Sequence, residues 1–340
     1  MKLAFLYQSI RQKKVILNPL SDISKPVKDE LKTFESIFKN TVKSKISLVD
    51  LIASYILKQK GKKIRPLLAL LSAKACGGVN ERTYRGAALV ELLHTATLVH
   101  DDVVDNADKR RGLPSINAVW KNKIAVLMGD YLLARGLLIS VENKDYDFLE
   151  VMTNTVKRMS EGELLQIQKT RKLDIDFETY FRIISDKTAS LFQTCCIIGA
   201  QSATDNTAIR TAMNDFGEML GIAFQIRDDI LDYGTSSKLF GKPIGGDIKE
   251  KKITLPLIYA LNLVGKSERA KIKGLIKNST KKSNLNEVID FVIEKGGLAY
   301  AENIAYQYGE KAKHNLLLLP DSDAKKALLK LVDFVTNRAN

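Results

Sequence analysis

The chain has 340 residues, 45% of them hydrophobic and 27% charged, with 53 Lys/Arg against 39 Asp/Glu for a formal charge of +14. That balance excludes a disordered chain and leaves one large globular domain or two smaller ones. Only seven prolines occur, none between Pro114 and Pro243, so a stretch long enough for several helices carries no proline-made break and the body is expected to be all-α.

In chain order, residues 1–65 hold fifteen Lys/Arg against five Asp/Glu, an excess that would suit nucleic acid, anionic lipid or a phosphorylated small molecule. Residues 1–25 are expected to be a basic, poorly ordered lead. Met1–Tyr7 has too short an apolar core for a secretory signal and no small-residue cleavage site. Residues 27–60 show helical apolar spacing through Phe34, Phe38, Ile52 and Ile56. Pro66 opens an apolar helix that Gly77-Gly78 ends. A second apolar segment runs from Thr83 to Asp105, followed by a loop with Gly112 and Pro114. Residues 123–140, 147–169 and 177–200 read as helices apolar enough all round to be buried. Residues 206–232, 253–264, 285–314 and 322–338 continue the helical pattern, and the lysine-rich stretch 266–282 reads as a solvated face and its loop. No alternating strand and no apolar run near the roughly 20 residues of a membrane span is found. The expected architecture is a single-domain array over residues 1–340 of ten or more helices around a central cavity. Cys76, Cys195 and Cys196 are odd in number and lack metal spacing; they read as buried apolar residues in a reducing compartment, hence a cytoplasmic location.

The chemistry concentrates in two clusters. Asp101-Asp102-Val103-Val104-Asp105 closes the apolar run Leu92–Val104, and Asp228-Asp229-Ile230-Leu231-Asp232 closes Met219–Ile226. The i, i+4 spacing sets the outer carboxylates of each on one helix face, and carboxylates so close need a cation when buried. Without His or Cys nearby, such oxygen ligands suit Mg²⁺ bridged to a phosphate. One such cluster alone is more often a solvated helix end; two copies in apolar helices are not. Basic groups follow: Lys62 and Arg65 ahead of a helix N-terminus, Arg110 and Arg111 one loop after the first cluster, then Lys187-Thr188, Lys242 and Lys252. Together they suit two polyphosphates, one chelated through Mg²⁺ and one held by Lys/Arg alone. His94, two turns before Asp101, is as well read as structural as functional.

With these motifs in order, the sequence resembles the trans-isoprenyl diphosphate synthases, most of all the long-chain, octaprenyl-type polyprenyl synthases, over roughly residues 25–338. The resemblance is carried by Gly61-Lys62-Lys63-Ile64-Arg65-Pro66, Glu91-Leu92-Leu93-His94 running into Asp101-Asp102, Arg110-Arg111-Gly112, Gly162-Glu163 with Gln166, Lys187-Thr188, Phe224-Gln225 through Asp229, Gly241-Lys242, and Gly245-Gly246-Asp247 with Lys252. It implies an isoprenoid-synthase fold and a homodimer. It implies that Asp101, Asp105 and Asp228 ligate Mg²⁺, three ions per site, with Asp102, Asp229 and Asp232 supporting at the metal. It implies that Arg110, Lys187, Lys242 and Lys252 hold an allylic diphosphate, that Lys62, Arg65, His94 and Arg111 hold isopentenyl diphosphate, and that Thr188 and Gln225 face the reacting carbons. Two departures stand out: Lys60 replaces the usual first glycine before Lys62, and Lys251 the glycine before Lys252, which leaves Lys251 a rival of Lys252.

Short-product members commonly carry an aromatic residue four or five positions before the first Asp; here Thr97 and Ala96 stand there. Both are small, so a long product is expected, heptaprenyl to nonaprenyl with octaprenyl the single choice, its tail passing Met128, Leu132, Met152 and Met159. The rivals are a shorter-chain farnesyl or geranylgeranyl synthase, a terpene cyclase, which needs no second diphosphate site, and a non-catalytic synthase subunit. A nucleic-acid-binding protein is disfavoured by acidic clusters in the core and the lack of a binding motif. The unassigned lysines read as solvated surface with weak contact to anionic lipid.

Overall fold

The computed structural model describes residues 20–59, 61, 63–234 and 245–337. Lys62, Lys242 and residues 1–19 of the basic lead lie outside the described residues. The rest of that lead is not loose: Leu20–Ile23 forms a short helix (α1), a 3₁₀ turn follows at Lys25–Val27, and Ile23 and Val27 are fully buried.

The helices that matter for the site follow. Lys28–Thr41 (α2) and Ser47–Lys58 (α3) lead to Ile64–Cys76 (α4) and Glu81–Val104 (α5). Asn80 starts α5 with a reciprocal cap: its side chain accepts from Thr83 N–H at 3.0 Å and its N–H donates to Thr83 Oγ1 at 3.2 Å. A two-residue hairpin pairs Lys109–Arg110 (β1) with Leu113–Pro114 (β2), where no strand was expected. Its turn residues, Arg111 at φ 51° and Gly112 at φ 81°, are both left-handed, as a two-residue hairpin of this twist requires. Ile116–Glu142 (α6) and Tyr146–Lys172 (α7) follow. The segment 177–200, expected as one helix, divides into Phe177–Ile184 (α8), a π-turn at Ser185–Ala189 and Ser190–Ala203 (α9). Thr207–Leu231 (α10) precedes the short Gly246–Lys249 (α11) and Leu255–Asn262 (α12). The lysine-rich stretch is a helix too, Lys266–Lys277 (α13), because Ile272 and Ile276 bury one stripe. Residues 285–314 are two helices, Lys282–Glu294 (α14) and Gly297–Asn315 (α15), parted at Gly296, φ 74°. Asp323–Thr336 (α16) ends the array.

Two apolar clusters fill it. One gathers α4, α5, α9 and α16 around Leu68, Leu70, Leu92, Phe148 and Phe216; the other gathers α8 and α12–α15 around Leu255, Ile276 and Val288. The helix α10 joins them, giving Phe216 and Leu220 to the first and Ile226 and Ile230 to the second. Its glycines set the approach to its neighbours. A Cβ on Gly217 would stand 2.6 Å from Gln193 Cα, and one on Gly221 2.5 Å from Ala189 Cα.

The helices α6 and α7 are not apolar all round and buried, as expected. Val126, Leu127, Leu138 and Val141 of α6 and Leu164 and Ile167 of α7 are exposed. Moreover, α6 carries an 18-residue window of mean hydropathy 1.7, long and apolar enough to cross a membrane, though only a third of it is buried. Its charged residues tie it to the array: Arg135 donates to Thr41 O at 3.3 Å and His100 stands 3.4 Å from Asp130. Near its start, where Lys121 leaves helical geometry (φ 72°, ψ 163°), Trp120 packs edge-on against Tyr55 of α3, ring centroids 5.1 Å apart, and the Tyr55 hydroxyl donates to Pro114 O at 2.8 Å.

The close approach of α10 to α9 gives a stability test. Gly217→Ala inserts a methyl against backbone rather than a flexible side chain and is expected to cost about 1–3 kcal/mol in urea unfolding; an unchanged midpoint would mean the two helices can part freely.

Candidate active site

Both aspartate clusters fall at helix C-termini. Asp105 is the C-cap of α5 and Asp232 the C-cap of α10. The helix dipole makes these ends negative, so carboxylates here are disfavoured unless cations answer them. In each cluster the middle Asp turns inward. Asp102 is 3% exposed and accepts from Arg110 Nε at 2.7 Å and from its Nη2. Asp229, also 3% exposed, accepts from the Tyr180 hydroxyl at 2.6 Å and Gln225 Nε2 at 2.8 Å, while Gln225 Oε1 accepts from Thr188 Oγ1 at 2.7 Å. Asp232 accepts from the N–H groups of Gly246 and Asp247, both at 3.0 Å. Asp102, Asp229 and Asp232 thus have oxygens engaged by protein donors.

Burial raises the Asp101 carboxyl above its ordinary range; Lys187 opposes the rise, Glu163 and Asp105 add to it, and Arg110 opposes it. Lys187 pairs with Glu163 and reaches Gln166 at 3.5 Å. Burial also lifts Asp247 to about 6, with Asp232 and Asp228 adding to the rise and Lys252 opposing it. Lys252 stands 2.5 Å from Glu250 and lies in the field of both Asp247 and Asp105, so it sits between the two clusters. Its neighbour Lys251 is exposed and does not line the smaller of the site's two cavities, whereas Lys252 does.

A cavity of about 100 Å³ brings Lys187, Thr188, Gln225, Asp229 and Lys252 together with Tyr180, Gln166 and Asp247. A second, about 560 Å³, lies between α2, α3 and α5 and is lined by Gly61, Lys63, Glu91, Asp102, Arg110 and Arg111 among apolar residues. Arg65, in the first turn of α4, directs Nη1 at His94 Nε2, 2.8 Å away. A guanidinium only donates, so Nε2 accepts and the ring is neutral. Burial, together with Arg65 and Arg111, holds His94 well below its ordinary pKa. Burial raises Glu91, against the pull of Arg65 and Arg111. Gly61 matters sterically: a Cβ there would lie 2.4 Å from Arg111 Nη1. Lys63, at the N-cap of α4, pairs with Glu35 at 2.5 Å, and both line the larger cavity.

The expected chain-length positions are less open. Ala96 is buried in the core, Thr97 donates to His94 O at 2.9 Å, and neither lines these two cavities. Met128, Leu132 and Met152 are buried in the main apolar cluster and Met159 packs against it. The three thiols are free and buried, with burial lifting Cys76 and Cys195 to about 12.

Sequence reasoning missed Tyr180, Glu163, Gln166, Asp247 and Glu91 as site residues. All but Tyr180 stand inside the quoted motifs, where their spacing to Lys187 or to the aspartates could have marked them. Tyr180 has no signal, being one aromatic of an amphipathic helix.

Residues 46–292 match the polyprenyl synthetase family. The chain is 37% identical over 318 residues to the all-trans-nonaprenyl-diphosphate synthase (geranyl-diphosphate specific) of Rhodobacter capsulatus, covering 93% of this chain and 97% of that one. It is 35% identical over 309 residues to the geranylgeranyl diphosphate synthase of Saccharolobus solfataricus, covering 88% and 93%. Its fold superposes on the crystal structure of a decaprenyl diphosphate synthase from Rhodobacter capsulatus with a TM-score of 0.89 at 32% identity, covering 95% and 100%. An all-α array with two aspartate clusters at one end, so matched, defines a prenyltransferase. The chain belongs to the polyprenyl synthetase family, as a trans-prenyl diphosphate synthase.

Tyr180→Phe removes a hydrogen bond to a buried carboxylate while keeping the ring. It is expected to cost about 1.5–3 kcal/mol in chemical unfolding; a loss below about 0.5 kcal/mol would mean that the hydroxyl does not hold Asp229.

Proposed function

We propose that the chain is a Mg²⁺-dependent polyprenyl diphosphate synthase that condenses isopentenyl diphosphate head to tail with an allylic diphosphate such as farnesyl diphosphate, yielding octaprenyl diphosphate. The observation that carries this reading is the position of Lys252 and Lys187, each in the field of the first aspartate cluster and each lining one cavity with Asp229 and Asp247 of the second half of the site. Two anionic helix ends with cations between them suit a polyanion that arrives with metal.

The donor set fits Mg²⁺: hard carboxylate oxygens in excess over cations, with Asp247 lifted by burial and then by its carboxylate neighbours. Mg²⁺ usually takes one or two carboxylates and fills its other positions with waters and substrate phosphate oxygens. Asp101, Asp105 and Asp228 would hold it, three ions per site by family resemblance, with Asp102, Asp229 and Asp232 fixing the helix ends behind them. When bound, Mg²⁺ neutralises charge on the departing diphosphate.

The chain's own residues then do the following. Arg110, Lys187, Lys242 and Lys252 bind the allylic diphosphate and stabilise the negative charge that grows as its C–O bond breaks. Lys62, Arg65 and Arg111 bind isopentenyl diphosphate, with His94 orienting Arg65 through its Nε2. The Thr188 hydroxyl and Gln225 amide, locked to each other and to Asp229, set fixed dipoles beside the allylic carbons. The isopentenyl double bond attacks carbon 1, and the proton lost passes to the released diphosphate. A closed apolar surround protects the cation from water.

Small residues at Ala96 and Thr97 support the long product, since one helical turn, about 5.4 Å, matches about one isoprene unit. The exposed apolar faces of α6 and α7 support a homodimer joined through them. A cytoplasmic location with weak, salt-sensitive contact to anionic lipid completes the reading.

Incubating the chain with isopentenyl and farnesyl diphosphates and Mg²⁺ is expected to give products of 35–45 carbons by mass analysis, and none in EDTA. Mainly farnesyl or geranylgeranyl product would establish the short-chain reading, and turnover without isopentenyl diphosphate a cyclase. Ala96→Tyr is expected to shorten the product; an unchanged spectrum would remove Ala96 from the tail's path. Leu127→Asp is expected to convert the dimer to a monomer in light scattering, and a dimer that persists would move the interface off α6.

A further inference from the structure

The π-turn Ser185–Ala189 carries Lys187 and Thr188, two of the residues proposed at the allylic diphosphate, and it is held from outside by one arginine. Arg158 of α7 directs Nε at Asp186 Oδ1 (2.8 Å), Nη1 at Gln193 Oε1 (2.6 Å) and Nη2 at both Ser185 Oγ (2.8 Å) and Glu218 Oε1 (3.3 Å). The Ser185 hydroxyl donates in turn to Glu218 Oε1 at 2.5 Å. One guanidinium thus links α7, both residues that begin the π-turn, α9 and α10. Asp186 is further fixed by Arg182 at 3.8 Å and by the Ser190 hydroxyl on its carbonyl at 2.6 Å.

A π-turn is intrinsically unfavourable and occurs singly, most often at functional sites. Here it turns Asp186 away from the cavity into Arg158, while its neighbours Lys187 and Thr188 face Glu163 and Gln225 on the other side. Backbone packing leaves little slack. A Cβ on Gly162, one turn beyond Arg158 on α7, would stand 3.2 Å from the Lys187 nitrogen, and Gly221 of α10 lies against Ala189. Sterics close the turn on two sides, and the Arg158 fork supplies the polar attachment. Lysine has a single-point head and no fork, so it cannot make these four bonds together.

We propose that Arg158 is a positioning residue for the allylic diphosphate: by holding the π-turn through Ser185 and Asp186 it fixes the Lys187 ammonium and Thr188 hydroxyl for ionisation. The inference rests on the reading of Lys187 and Thr188 given above. It does not involve Arg65, His94 and Arg111, proposed at the isopentenyl diphosphate, which lie on α4, α5 and the hairpin turn.

The test compares the full-length enzyme with Arg158→Lys, Arg158→Met, Asp186→Asn and, as control, Lys187→Ala. In Arg158→Lys, hydrogen exchange is expected to rise in peptides spanning residues 185–190 and to stay unchanged in α4 and α5. KM for the allylic diphosphate is expected to rise about tenfold with KM for isopentenyl diphosphate changed less than twofold. Equal rises in both KM values, or a lowered melting temperature with both KM values unchanged, would overturn the proposal as general destabilisation. Faster exchange at 185–190 with no change in allylic KM would overturn the functional part. If Lys187→Ala leaves allylic KM unchanged, the reading of Lys187 fails and the proposal with it; if Lys187→Ala raises it and the Arg158 variants do not, Arg158 alone fails. Should Arg158→Met not fold, Asp186→Asn, which weakens one arm of the fork, is read by the same split.

Discussion

Carboxylates gathered at the negative ends of two long helices are the constraint on which the rest of the structure depends. The helices α5 and α10 each deliver three aspartates to a C-terminus, where the dipole already disfavours anions. The surrounding structure answers that charge. Arg110 folds back from the hairpin onto Asp102, Lys187 comes from a π-turn into the field of Asp101, and Lys252 sits between the clusters from beyond α11. Elements with little else in common are drawn to one end of the array by this shared electrostatic demand.

The middle aspartate of each cluster has a different task from its neighbours. Asp102 and Asp229 are as buried as core residues and are hydrogen-bonded by protein donors. Each anchors a helix end to a neighbouring element, Asp102 to the hairpin and Asp229 to α8 and, through Gln225, to Thr188. The outer residues of the i, i+4 pattern are then presented on a fixed scaffold. Asp232, an outer residue, is held as well, by the N–H groups of Gly246 and Asp247.

Much of this was legible in the sequence because helical periodicity is local. Long segments such as Glu81–Val104 and Thr207–Leu231 followed from apolar spacing, and the aspartate clusters from residue type and spacing alone. What escaped was set by partners distant in the chain. The π-turn at Ser185–Ala189 depends on Arg158 and Glu218, and nothing in the segment announces it. The helix Lys266–Lys277 looks solvated until α14 packs on it and Ile272 and Ile276 join the second apolar cluster. Tyr180 gains its role only when Asp229 arrives 49 residues later. The exposed face of α6 has the same cause: composition tells how apolar a helix is and says nothing of which side has a neighbour.

The contact between Tyr55 and Trp120 has a use of its own. The chain contains a single tryptophan, and it stands where α3 meets the start of α6, against a tyrosine tied to the hairpin that carries Arg110 and Arg111. Its ring is half-buried, edge-on to a tyrosine whose hydroxyl is tied to Pro114. Excited at the red edge of its absorption, where the eleven tyrosines do not absorb, the intrinsic fluorescence of the unmodified protein is therefore a single-site optical signal. The emission of Trp120 reports the seating of α3 and the hairpin against α6 without any introduced label, so that movements of these elements can be followed in real time.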